Sequence, residues 1–379
     1  MKFQFPKRDL IFIIAVLLCC VGLYFVPSPS PVVSQSGTPT LGRVLSVDNS
    51  LVQQHGLVRY GSQRLEVELL EGQQKGKRFR ANNELRAQMD LDKIFSPGDH
   101  ALVILQENDT PENAVLVAQD HYRTGWGMAL FAGFCLLLCI FGGWTGAKAL
   151  FSFIFSCMVI WKAVIPLVLR GFPASWVIFG SVCLLTAVII WLVAGLTRKG
   201  FSAFLGSAAG ILAGLAMAHL FGYLMKINGA VLPFSQALLY SGYEFLDLQD
   251  LFIGAMILAS SGAVMDLSMD IASGVEEIAF HNPQLPMKEL IRSGLRMGRS
   301  VVGTMTTTLL LAYSGGYITL LMMFASQGTS PWTFLNNTLV ASEAVKTLIG
   351  SFSLVLVAPF TAFTAGWFFR PKIKNSTDQ

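Results

Sequence analysis

Long apolar runs separated by short polar segments make up most of the chain after residue 125, and one more follows the N-terminus. Each run is about twenty residues long, which is the length an α-helix needs to cross the hydrocarbon layer. The pattern predicts eight membrane-spanning helices, at about 9–26, 126–142, 148–169, 174–196, 201–225, 250–273, 300–324 and 340–369.

The segment 27–124 has a different pattern, in which apolar and polar residues alternate over short runs, as in Arg64–Leu69. Gly, Asn and Asp separate these runs, as is typical of turns between strands. Six strands are predicted, at 42–47, 57–60, 65–70, 76–80, 100–105 and 114–118. Strands at this spacing favour a small β-barrel of the OB or SH3 type.

Together the two patterns predict an α-helical polytopic membrane protein with an inserted, extracytoplasmic, β-barrel-like domain. Its parts are a signal-anchor helix at 1–26, the β-rich domain at 27–124, a seven-helix membrane bundle at 125–370 and a cytoplasmic tail at 371–379. The first run is interpreted as an uncleaved anchor because it is longer than the apolar part of a typical secretory signal. A cleavable signal peptide is the alternative.

Composition and charge agree with this interpretation. Hydrophobic residues make up 53% of the chain and charged residues 13%, against about 25% charged residues in a soluble domain. If the N-terminus is cytoplasmic, the short outer loops contain only Arg170 and Lys226 as basic residues, so both termini are predicted to be cytoplasmic. The small net charge of +4 gives no indication of a nucleic-acid partner. All six cysteines lie in apolar runs, so no disulfide framework is predicted. The sequence has no Walker A motif, dinucleotide fingerprint or Cys/His metal cluster, so no cofactor is predicted.

Two carboxylates, Asp266 and Asp270, lie one helical turn apart near the inner end of the predicted span 250–273. A charged group inside a membrane costs about 2.5 kcal/mol or more, so it normally faces the bundle interior and often marks a pathway. Thr304 and Thr307, near the start of the next span, are expected at a similar depth. Carboxylate and hydroxyl oxygens suit a hard cation or a proton, and these four residues are the predicted binding site.

A structural interpretation of the same residues stays open. The threonine hydroxyls could donate to carbonyls of their own helix, and the aspartates could pair with Arg296 or Arg299. Secondary candidates for the site are the other ionisable residues in or near the spans, Lys162, Glu277, Arg299 and Glu343. Glu276 and Glu277 are expected to pair with Arg292 and Arg296, and Glu343 with Lys346 three residues further along its helix.

Small residues at every fourth position of the span 201–225 predict close helix packing. Gly206, Gly210 and Gly214 form a groove that another helix backbone can approach. The predicted partner is the face of the next span that carries Ala255, Ala259 and Ala263.

Two sequence motifs carry a resemblance to a known family. Gly262-Ala-Val-Met-Asp266 and the segment from Met297 to Tyr313 resemble the YibE/F-like bacterial membrane proteins, with Ser300 at a position that is often acidic in that family. The resemblance covers most of 125–369. It implies a multi-pass protein of the bacterial plasma membrane and indicates no substrate.

Transport is the first functional hypothesis, for a cation or coupled to protons, with the site on the sixth and seventh spans. The alternative is a membrane-anchored scaffold or sensor whose β domain binds an extracytoplasmic protein or polymer, for which its basic residues Lys75, Lys77, Arg78 and Arg80 are candidates. An enzyme is less favoured: Glu276–His281 is similar to the CAAX-type protease signature, but His281 replaces its arginine. The expected partners are the lipid bilayer and a small ion. Whether the protein binds a metal or forms a homo-oligomer stays open.

Overall fold

The computed structural model describes residues 16–19, 21–25, 37–106, 110 and 113–371. Most of the predicted anchor and almost all of the predicted tail therefore lie outside the described residues, although 16–19 and 21–24 are helical. Contacts between residues divide the chain into two compact units, Val33–Leu137 and the remainder.

The first unit contains a small closed β-barrel. Its strands are β1 (Thr38–His55), β2 (Val58–Leu69), β3 (Arg78–Arg86), β4 (His100–Leu105) and β5 (Val115–His121). They are joined in the order β1-β2-β3-β5-β4, and only the β3–β5 pair is parallel. The predicted barrel is confirmed.

The prediction of two strands at 57–60 and 65–70 is wrong, because both belong to β2. Gly61, which was read as an interruption, has a φ of 111° and lies against the carbonyl of Leu51 on β1. A glycine inside a strand often marks such a close approach of two backbones. The strand therefore continues through it.

A buried polar network closes one side of the barrel core. The Gln63 side chain donates to the Phe95 carbonyl at 3.0 Å and accepts from the Phe95 amide at 3.0 Å. Asn83 donates to Gln63 at 3.1 Å and to the Lys93 carbonyl at 2.6 Å. Because both amides are buried and their hydrogen bonds are made, they hold the segment before β4 against the barrel.

The second unit is helical, and part of the first helix belongs to the barrel unit. The helices are α1 (Thr124–Val159), a π-helical turn (Ile160–Val164), α2 (Ile165–Leu169), α3 (Ala174–Ala194), α4 (Arg198–Leu224), α5 (Ser235–Tyr240), α6 (Leu248–His281), α7 (Met287–Gly315), α8 (Ile318–Ser326), α9 (Pro331–Asn336) and α10 (Thr338–Phe368). Within the described residues, five helical segments are long and apolar enough to cross a membrane: Thr124–Leu169, α3, α4, α6 and α10. The bent pair α7–α8 would be a sixth.

One predicted break between spans is confirmed, and one predicted span is bent. Gly143, in the loop predicted between 126–142 and 148–169, is not helical, with φ 52° and ψ −127°, and a Cβ on Gly146 would lie against the carbonyl of Leu138. In a straight helix, residues eight positions apart are separated by about 12 Å, so the chain turns back at Gly143. The predicted span 300–324 is not straight, because α7 and α8 meet at 68°. Gly315 and Gly316 lie at this bend, and glycine lowers the cost of leaving the helical conformation.

The glycine groove of α4 is filled by α10. Gly206, Gly210 and Gly214 are all buried, and the atoms nearest to them belong to three α10 residues that also recur at every fourth position: Thr361, Val357 and Ser353. The predicted pairing of α4 with α6 is right, since Ser207 hydrogen-bonds to Ser268 and Gly222 lies against Ile253, but the predicted alanine face is wrong, because Ala259 is exposed. Both α6 and α10 carry residues of suitable size at every fourth position, so the spacing alone does not identify the helix that fills the groove.

Enlarging the groove residue Gly210 should destabilise the helical unit. A Cβ at this position would lie 2.8 Å from Val357 Cβ, so Gly210→Leu should cost about 1–3 kcal/mol by overpacking. The measurement is the thermal unfolding midpoint in detergent. The matched control is Gly180→Leu on α3, where an added Cβ meets nothing within 4 Å. Equal midpoints for the two variants would contradict close packing of α4 and α10.

Candidate functional site

The register between α6 and α7 sets the depth of the candidate residues. The two helices are antiparallel: Gly294 lies against Val275, and Gly298 lies against Ile271 one turn away. Continued by one more turn, this register brings Asp266 level with Gly303, next to Thr304. It brings Asp270 level with Arg299.

The two carboxylates lie on the outside of the helical unit. Asp266 and Asp270 are exposed, whereas Leu267, Ser268 and Ile271 on the opposite side of α6 are buried. The prediction that the aspartates face the interior of the helical unit is therefore wrong for the chain as described. In the part of the chain that the structure describes, neither carboxylate has a hydrogen-bond or ion-pair partner.

The threonines of α7 donate to their own helix, as in the structural alternative considered for the sequence. Thr304 Oγ1 donates to the Val301 carbonyl at 2.9 Å, and Thr307 Oγ1 donates to the Gly303 carbonyl at 3.0 Å. Both side chains are exposed. Each hydroxyl uses only its hydrogen in this bond. Its oxygen therefore keeps lone pairs that can accept a hydrogen bond or coordinate a cation.

The predicted ion pairs between the C-terminal end of α6 and the start of α7 are wrong. Glu276 pairs with Lys199 at the start of α4, at 3.0 Å, and Glu277 pairs with His281 one turn along α6, at 3.0 Å. The arginines find partners on α7 itself, since Arg292 pairs with Glu289 at 2.8 Å and Arg296 donates to Ser293 at 3.2 Å. A partner one turn away on the same helix is favoured over a partner on another helix, because the helix already holds the two side chains close together.

A second polar cluster lies at the bend between α7 and α8. Glu343 and Lys346 of α10 pair at 3.7 Å, as predicted, with only 17% and 22% of their side chains exposed. Lys346 Nζ also lies 3.4 Å from the Tyr317 hydroxyl and 5.4 Å from the centroid of the Tyr313 ring. Among the described residues, the Tyr313 hydroxyl and one Glu343 oxygen are buried without a hydrogen-bond partner.

The two tyrosines were missed at the sequence level. They lie on either side of Gly315 and Gly316, and aromatic residues flanking a helix-breaking pair were the available signal. The remaining secondary candidates are Lys162 and Arg299. Lys162 lies in the π-helical turn, a feature that is frequent at functional sites. Arg299 is exposed on α7.

Acidic and histidine side chains also meet near the start of α6. Asp250 accepts from the Ser175 amide at 3.0 Å and lies 3.7 Å from His219. This arrangement satisfies a free amide at the start of α3, so it is accounted for by helix capping. In the described part of the chain, no group of three or more His, Cys, Asp or Glu side chains is placed to hold a metal ion.

The chain was compared with models of protein families. A model of the family described as YibE/F-like protein matches residues 130–371. The chain belongs to this family. No curated protein and no solved structure matches the chain. Membership in the YibE/F-like family agrees with the set of apolar helices and supports a multi-pass membrane protein.

The cluster at the bend predicts a measurable coupling between Lys346 and Glu343. Lys346→Met leaves the partly buried carboxylate without its cation and should lower the free energy of unfolding by about 1–3 kcal/mol. The double variant Glu343→Gln/Lys346→Met should recover most of that loss. Thermal unfolding in detergent measures both, with Lys226→Met, an exposed lysine, as the control. A double variant as unstable as the single one would show that the pair is not coupled.

Proposed function

We propose that this YibE/F-like protein is a membrane transporter or permease for a small cation, or one coupled to protons. The observation that carries the proposal is the pair of carboxylates Asp266 and Asp270, which have no partner among the described residues and lie on a helix apolar enough to cross a bilayer. An ionisable residue in such a segment is costly, so its presence favours a functional role.

The chemistry around the carboxylates supports a hard cation or a proton as the ligand. Asp266 comes level with the start of the threonine segment of α7, whose hydroxyl oxygens keep free lone pairs. Oxygen ligands of this kind are those that hard cations prefer. Since a charged carboxylate facing lipid would be unfavourable, the proposal has this side of α6 and α7 border a water-filled path.

The bend between α7 and α8 is a second supporting feature. Transporters commonly build their sites from discontinuous helices whose interrupted backbone lines a cavity. Here the interruption at Gly315 and Gly316 lies beside the Glu343–Lys346 pair. One helix, α7, therefore runs from the level of the aspartates to this second cluster.

The proposed topology has eight spans in the bacterial plasma membrane with both termini in the cytoplasm. Its support is the distribution of Lys and Arg, which are nearly absent from the short loops on the other side. In this topology the β-barrel is extracytoplasmic, and the aspartates lie in the cytoplasmic half of the bilayer.

A scaffold or sensor remains the second candidate, and the barrel favours it. A surface groove of about 820 Å³ on the barrel is lined by charged residues of both signs, including Arg64, Arg78, Arg80, Asp48 and Glu66. Such a groove suits a polar partner, either a protein or a polymer. Under this hypothesis the helical unit serves only as a membrane anchor. An anchor does not need the carboxylates of Asp266 and Asp270, which is why transport is the first candidate.

The transport proposal predicts that Asp266→Asn abolishes flux while the protein still folds and inserts. The amide has the same shape but can neither carry the charge nor exchange the proton. The measurement is ion flux into liposomes containing the purified protein, with a cation gradient and a pH gradient applied in turn. Glu277→Gln is the matched control, because Glu277 is exposed and paired with His281 at the end of α6.

Each outcome of this experiment is informative. Full flux in Asp266→Asn would place the transport site elsewhere. Absence of flux in the wild-type protein with every cation and with a proton gradient would favour the scaffold or sensor. In that case, binding of an extracytoplasmic partner to the barrel becomes the measurement to make.

The topology predicts which introduced cysteines react from outside the cell. In a variant without its native cysteines, Ser50→Cys and Ser330→Cys should be labelled by an impermeant thiol reagent in intact cells, because both positions are exposed. Ser376→Cys should be labelled only after the membrane is opened. Labelling of Ser376→Cys in intact cells would overturn the eight-span arrangement.

A further inference from the structure

We propose that one face of α7 binds the headgroups of anionic phospholipids in the leaflet at its N-terminal end. The inference concerns four basic side chains, Lys288, Arg292, Arg296 and Arg299, called here the basic face. At about 100° per residue, the four lie within roughly 80° of arc around the helix. All four are exposed.

The basic face is only weakly compensated by acidic residues of the chain. Glu276 and Glu277, the carboxylates expected to neutralise it, are engaged with Lys199 and His281 instead. Glu289 pairs with one member, Arg292. Among the described residues, Lys288 and Arg299 have no hydrogen-bond or ion-pair partner. The face therefore keeps an excess of positive charge.

Apolar side chains accompany the cations. Ile291 and Leu295 are half-buried beside them, and together the six residues line a surface recess of about 470 Å³. Ile291 packs against Gly366 near the end of α10, which anchors the base of the recess. A soluble anion would make no favourable contact with this apolar base. A phospholipid can place its phosphate against the cations and the start of its acyl chains against Ile291 and Leu295.

The position of the face along α7 fits a headgroup layer. The basic face ends at Arg299, where the apolar part of the helix begins, and α7 belongs to a helix pair that is apolar enough to cross a bilayer. Clusters of basic residues directly outside a spanning segment are attracted to anionic lipid surfaces. Arginine is well suited to this contact because its guanidinium can donate two parallel hydrogen bonds to one phosphate.

The test compares the lipids that the full-length protein retains. The protein is reconstituted in an equimolar mixture of phosphatidylglycerol and phosphatidylcholine, extracted in mild detergent and analysed by native mass spectrometry. The wild-type protein should retain phosphatidylglycerol in clear excess. Since each basic residue near an anionic surface contributes roughly a fivefold change in the binding constant, the variant with all four residues changed to Gln should lose this excess.

Two matched variants separate charge from structure. Changing Arg43, Arg59, Arg86 and Lys93 of the barrel to Gln removes the same charge elsewhere and should leave the excess unchanged. Changing Arg292, Arg296 and Arg299 to Lys keeps the charge and should preserve most of it. Thermal unfolding midpoints of all variants show whether the helical unit remains intact.

Three results would overturn the proposal. The first is the same excess of phosphatidylglycerol in the four-residue Gln variant and the wild-type protein. The second is no excess in the wild-type protein. The third is displacement of the lipid by inorganic phosphate at equal concentration, which would indicate a site for a soluble anion. None of these results bears on ion flux, so the transport proposal would be unaffected.

Discussion

The close approach of α4 and α10 is the contact on which the arrangement of the helical unit depends. In a bilayer, helices gain little from hydrophobic burial, so their association relies on tight packing between small residues. Gly206, Gly210 and Gly214 supply the space, and α10 supplies side chains at the matching interval. Once α10 is held there, its other side is available to α7, where Ala358 and Ala362 lie against glycines of that helix.

The same packing connects the two polar regions of the molecule. Helix α7 contacts α6 and α10 through Gly294 and Gly298, where almost no free space remains. One region, with Asp266 and Asp270, borders the middle of α7, and the other, with Glu343 and Lys346, borders its C-terminal end. Because packed interiors tolerate few continuous distortions, a displacement of α7 would alter both regions together.

The barrel follows a different physical principle. It has its own apolar core, and its strands close on themselves, which leaves no open sheet edge. The buried Gln63–Asn83 pair uses its hydrogen bonds to hold the segment before β4. Such a network is favourable only when it is fully satisfied. One chain thus combines a β-barrel with its own apolar core and a bundle of helices that are apolar enough to cross a membrane.

The sequence by itself determined the membrane class, most helix positions, the barrel and the family resemblance, because hydrophobic length, alternation and short motifs are local properties of a chain. Only the tertiary structure decided that β2 runs through Gly61, that α10 and not α6 fills the groove of Gly210, and that Asp266 lies on an outer face. It also decided that Glu276 pairs with Lys199. A helical period identifies a face, but its neighbour is selected by three-dimensional complementarity between residues far apart in sequence, which no local pattern records.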